Sequence, residues 1–188
     1  MTKRGQFIQW LGDAHAMEVG MVSTLEKHIA DAKGLPKVRA ALTKHLGETK
    51  RHATAMKKAL ASLGGSRPVI KEGISKVANL AAGLLTSAAS DTIVKNAIAD
   101  FAAEHFEIAC YNSLIFTATA LGEKDIAATC KAILKEEMAM AAALESQLKA
   151  VNDSYLATLD DDEKEVPSKP APSSRPAKGK ALKTTAKR

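Results

Sequence analysis

The chain has 188 residues, enough for one domain with a full apolar core and a terminal tail but short for two independent domains. Aromatic residues make up only 4%, Ala, Leu, Lys and Glu are abundant, and no proline stands between Pro68 and Pro167, which excludes a β-sandwich and favours long helices. The formal net charge of +6 points to nucleic acid until it is divided by position: Lys169, Arg175, Lys178, Lys180, Lys183, Lys187 and Arg188 follow Val166 with no acid among them, and the rest is close to neutral.

The opening MTKRGQFIQWLGDAH lacks an apolar secretion core, and no apolar run approaches the length of a membrane span. A cytoplasmic protein with no membrane segment is expected. Cys110 and Cys130 lie in apolar helical patterns and read as buried small hydrophobes in a reducing compartment.

Helical periodicity runs over residues 6–31, with Phe7, Leu11, Ala14, Met21, Val22, Leu25 and Ile29 on one stripe, and is punctuated by Gly34 and Pro36. A second helix covers 36–63, with Val38, Ala41, Leu42, Ala55, Met56 and Ala59 inward, and stops at Gly64 and Gly65. Residues 72–86 read as a short crossover helix rich in small side chains. A third long helix spans 91–121, capped by Asp91, and Gly122 separates it from a fourth over 124–150. Short turns make antiparallel hairpins of helices one and two and of three and four. The expectation is an all-α, ferritin-like four-helix bundle over residues 1–158, its two hairpins joined by a long crossover holding the short fifth helix. Residues 159–188, rich in Pro, Ala, Ser and Lys, are expected to form a disordered basic tail.

Ionisable residues interrupt all four core stripes. The first reads Leu11, Ala14, Glu18, Met21, Leu25, and the second Val38, Leu42, His45, Glu48, His52, Ala55. The third reads Ala97, Asp100, Glu104, Glu107, Tyr111, Leu114, and the fourth Ile126, Cys130, Ile133, Glu137, Met140, Leu144. A buried carboxylate without a partner costs several kcal/mol or neutralises itself, so four at mid-helix imply a shared cation. Carboxylate oxygens with one or two imidazoles suit iron(II) or manganese(II), and bundles of this kind hold two such ions between a Glu from each of two helices and Glu/His elements from the others. The expected metal ligands are Glu18, His45, Glu48, His52, Glu104, Glu107 and Glu137. Glu137 is preferred to Glu136 because only the former lies on the stripe, and His105 falls beside it. Asp100 stands equally for a ligand and for an outer partner; Met56 and Met140 read as packing.

With HLGETKRH in the second helix and AEHFEIACYNSL in the third, the chain resembles the YciE/YciF-type branch of the ferritin-like superfamily over residues 6–150, supported by Ala16-Met17-Glu18 and Glu136-Glu137. The resemblance implies a dinuclear metal-binding helical bundle, often dimeric, associated with stress. The chain departs from the family at Gly47, where members often carry an acid, and at Ala141, where they often carry Asp. Many ferritin-like proteins also have His or Glu where Met140 stands.

Three functions follow as expectations. The first is a stress-response protein with a di-iron or di-manganese site acting on oxygen or peroxide, as an oxidase, ferroxidase or peroxide-removing protein; Tyr111 would pack beside the site or relay a proton or electron. The second is a DNA-associated protein whose tail gives weak, non-specific, salt-dependent contact. The third is a metal-free helical interaction protein. Small residues from Ala78 to Ala89 favour a homodimer.

Overall fold

The structure, a computed structural model, describes residues 2–65 and 90–159. Four helices make up nearly all of them: α1 (Lys3–Asp31), α2 (Pro36–Ser62), α3 (Thr92–Leu121) and α4 (Lys124–Leu156). There is no strand among the described residues, and no described helix is long and apolar enough to cross a membrane. The crossover helix, the small-residue stretch read as a dimer surface and the basic tail lie outside the described residues.

Local chemistry sets the helix ends. α1 begins three residues before the expected start because the Thr2 hydroxyl accepts the Gly5 N–H at 3.0 Å, satisfying an otherwise free amide of the first turn. Pro36 opens α2, where its missing N–H is no loss. Asp91 occupies the N-cap position of α3, yet its carboxylate makes no cap bond and instead pairs with Lys95 at 2.9 Å, correcting the expected cap. α3 closes at Gly122, whose φ of 77° is the left-handed conformation that glycine adopts without strain. α4 continues past residue 150 because Leu144, Leu148 and Val151 extend the inward spacing, and Val151 is buried.

Contacts fix the directions of the helices. Between α1 and α3, Arg4 meets Glu123 at the α3–α4 turn, Glu18 meets Tyr111, His28 meets Asp100 and Asp31 meets Asn96. Numbering falls along one helix as it rises along the other, so this pair is antiparallel. α1 packs on α2 and α3 on α4 as hairpins, while α2 lies against α4. Every neighbouring pair is therefore antiparallel, and the mid-points of all four helices share one level.

Two apolar clusters fill the interior at opposite ends. One contains Phe7, Leu11, Met56, Leu114, Ala118 and Ile133; the other contains Leu25, Val38, Leu42, Ala97, Met140 and Leu144. Met56 and Met140 belong to these clusters, as packing requires. Cys130 is buried in the first as a free thiol, whereas Cys110, also free, is only half-buried, against the expectation that both are buried.

Gly65 marks where the first cluster leaves no space. A Cβ there would stand 2.5 Å from Leu60 Cδ1, 2.8 Å from Ile8 Cγ2 and 3.0 Å from the Leu60 carbonyl, whereas one on Gly34 would meet nothing within 4 Å. Gly65→Ala should therefore cost about 1–3 kcal/mol of stability by overpacking, and Gly34→Ala should cost far less. Urea unfolding of the two variants measures the difference.

Candidate metal centre

Between the two apolar clusters lies a layer built from all four helices. Glu18 comes from α1, His45 and His52 from α2, Glu104 and Glu107 from α3, and Glu137 from α4, each essentially buried. His45 and His52 are seven residues apart, about two helical turns, and so project from the same face with ring centroids 6.3 Å apart. Glu104 and Glu107 occupy adjacent turns in the same way.

These side chains converge as two groups that share one member. Donor atoms of His45, Glu104, Glu107 and Glu137 lie within 4.8 Å of one another, as do those of Glu18, His52 and Glu137. Glu137 reaches both through its two oxygens: Oε2 is 3.4 Å from His45 Nε2 and Oε1 is 2.8 Å from His52 Nδ1. His45 Nε2 is also 3.2 Å from Glu104 Oε1, and His52 Nδ1 is 3.7 Å from Glu18 Oε2.

Proximity here is not hydrogen bonding. Glu18 Oε2, both oxygens of Glu104, Glu107 Oε1, both oxygens of Glu137 and His52 Nδ1 are buried with no aligned hydrogen-bond partner. Their contacts are charge proximity out of alignment, within the 4.8 Å span of each group. Buried polar atoms are almost always satisfied, so such a concentration of orphans in a single layer fits a divalent cation.

Not every expected ligand joins these groups. Glu48 stands aside, its carboxylate accepting from Lys44 and lying 3.3 Å from His45 Nδ1. Glu136, set aside in favour of Glu137, does approach the layer: its Oε2 accepts from His52 Nε2 at 2.7 Å and lies 3.3 Å from Arg51 Nη2. His105 is exposed and hydrogen-bonds to the Phe101 carbonyl at 3.0 Å. Asp100 turns from the groups to His28, whose Nδ1 is 2.6 Å from its Oδ1. This buried pair was missed, although His28 follows Leu25 by three residues and so falls on the inward face. The Tyr111 hydroxyl donates to Glu18.

The electrostatics express crowding without a cation. Burial raises Glu107 well above the usual carboxylate range, with repulsion from Glu18, Glu137 and Glu104 added to it. Burial likewise raises Glu104 to about 7, the His45 contact pulling it back only in part, and raises Glu18. For His45, burial works downward but Glu104, then Glu137 and Glu48, overcome it and raise the imidazole to about 9. His52 is raised to about 10 in the same way, burial being outweighed by Glu137 and Glu18. In Glu48 burial is outweighed by Lys44 and then His45, and its carboxyl is lowered.

These shifts set a sign for stability in chelator. The raised carboxyls of Glu18, Glu104 and Glu107 keep protons that the unfolded chain loses above about pH 4.5, so folding becomes costlier from there through pH 7. The stabilisation from His45 and His52 is complete below about pH 6.5 and is lost as pH passes 9 to 10. Lowered Glu48 opposes this only below the ordinary carboxylate range. Metal-free protein should therefore lose stability steadily from pH 5 to pH 9, by up to about 1.4 kcal/mol per pH unit for each extra proton held by the folded state. Thermal unfolding across that range in chelator measures it.

Similarity to other proteins agrees with this architecture. Residues 2–157 match the family described as a domain of unknown function, DUF892. A protein of known crystal structure from Xanthomonas campestris pv. campestris is 26% identical, with a TM-score of 0.70 over 83% of this chain and 97% of its own. The Escherichia coli stress protein YciF is 24% identical, with a TM-score of 0.70 over 81% of this chain and 98% of its own, a likeness of fold. YcfI from Rhodopseudomonas palustris is 26% identical, with a TM-score of 0.63 over 78% and 94%. The match over nearly all described residues shows that this chain belongs to the DUF892 family, and it shares the four-helix fold of YciF.

Proposed function

We propose that residues 1–158 form a metal-binding unit that holds two iron or manganese ions, one in each donor group, for chemistry on oxygen or peroxide during stress. The observation that carries this reading is the set of buried, unpartnered oxygens of Glu18, Glu104, Glu107 and Glu137, gathered in two donor groups that share Glu137. Four carboxylates carry the charge that two divalent ions neutralise, leaving His45 and His52 free to bind as neutral imidazoles. Four hard oxygen donors with two nitrogens favour iron(II) or manganese(II) over zinc, which prefers fewer and softer ligands.

A reduced metal pair of this kind supplies electrons to oxygen or peroxide. The chain's own contribution is placement. Glu137 spans the two groups with one oxygen toward each, Glu104 and Glu107 complete the first, and Glu18, held by the Tyr111 hydroxyl, completes the second. The apolar clusters on either side keep water from the layer and strengthen each charge interaction within it. The free thiols of Cys110 and Cys130 suit a reducing compartment.

A second reading has support from one observation: with both imidazoles protonated, the pairs His45–Glu104 and His52–Glu137 bring opposite charges together without metal. This leaves Glu107 uncompensated, since none of its raising influences has an opposing cation.

Glu137→Gln separates the two. If metal is native, manganese(II) at about 100 times its dissociation constant should raise the melting temperature of the chelated wild-type protein by roughly 5–10 °C. Glu137→Gln, measured against its own melting temperature in chelator, should lose that gain. Wild-type protein that purifies without metal and melts at one temperature with chelator, iron(II) or manganese(II) would support the self-compensated network instead.

A further inference from the structure

Resting on the metal reading above, we propose that Glu48 and Glu136 are positioning residues which hold the outer nitrogens of His45 and His52 and turn different ring atoms toward the two ions. His45 would present Nε2 and His52 Nδ1.

The two imidazoles are supported alike but in opposite senses. On His45, Nδ1 lies 3.3 Å from Glu48 Oε2 while Nε2 faces Glu104 and Glu137. On His52, Nε2 lies 2.7 Å from Glu136 Oε2 while Nδ1 faces Glu18 and Glu137. A neutral imidazole has one N–H and one lone pair. A carboxylate at the outer nitrogen takes the N–H and leaves the lone pair inward, fixing both tautomer and ring direction.

Each outer carboxylate is tied in turn to a cation on the residue preceding its histidine. Lys44 donates to Glu48, and Arg51 Nη2 lies 3.3 Å from Glu136 Oε2. The dipeptides Lys44-His45 and Arg51-His52 recur at seven-residue spacing on α2, which puts both cation–carboxylate–imidazole chains on one side of the helix. The carboxylates themselves come from different places, Glu48 from α2 and Glu136 from α4. Both are occupied by a cation and an imidazole, and neither belongs to the groups of converging donors. That is the arrangement of a support and not of a ligand.

The test uses full-length protein loaded with cobalt(II), which makes imidazole N–H protons visible as strongly shifted, solvent-exchangeable proton resonances. Wild type should bind two ions per chain and show two such signals. Glu136→Gln, a side chain 39% exposed and so compatible with folding, should broaden or remove one signal; Glu48→Gln should do the same to the other. Each variant should keep two ions while weakening one of them roughly 10–100-fold. A fall to one ion per chain in either variant would make that carboxylate a ligand and overturn the proposal. Unchanged signals with affinities within about twofold of wild type would overturn it equally, with the metal reading intact. Failure of wild-type protein to bind cobalt(II) at all would overturn the metal reading and this inference with it.

Discussion

Repulsion among four carboxylates in one buried layer is the constraint on which the rest of the molecule depends. Glu18, Glu104, Glu107 and Glu137 are taken from water by the same packing that forms the apolar clusters above and below them. Ionised together they oppose folding, and protonated together they give up their charge. Only a compensating positive charge lets the layer be both buried and ionised. In the metal-free chain the compensation comes from protons on His45 and His52; two divalent ions would supply more of it and release those protons.

The fold serves this layer by symmetry of length. Because each neighbouring pair of helices is antiparallel, a residue at the middle of one helix meets the middle of the next whichever way the chain runs. Short turns at both hairpins, opened by Gly122 in one case and closed by Pro36 in the other, keep that register. The Tyr111–Glu18 and His28–Asp100 contacts pin α1 against α3 on either side of Glu104. Glu137 can then face two donor groups at once, which a carboxylate at any other height could not do.

Much of this was legible in the sequence because helical periodicity is strong and its interruptions were all of one chemical kind. The four long helices, the mid-helix level of the acids and the choice of Glu137 over Glu136 as the inward residue follow from spacing alone. Glu48 shows the limit of the same reasoning. It lies three residues from His45, a rotation of about 60° from that side chain around the helix, whereas His52 returns to within about 20°. The angle alone does not exclude it, since Glu104 and Glu107 stand at the same spacing and both converge; the pairing with Lys44, one turn earlier, draws its carboxylate aside. The roles of Glu136 and of the His28–Asp100 pair depend on which helices become neighbours, and one strand of sequence carries no direct record of it. The length of α4 was underread because Val151 continues the stripe after a polar turn.

The central claim is that this layer binds two ions on either side of Glu137. Anomalous diffraction from crystals of the protein loaded with manganese(II) tests it most directly. The account predicts two peaks about 3.5–4 Å apart, one ringed by His45, Glu104, Glu107 and Glu137 and the other by Glu18, His52 and Glu137. A layer without peaks, or a lone ion held by Glu48 outside those groups, would contradict it.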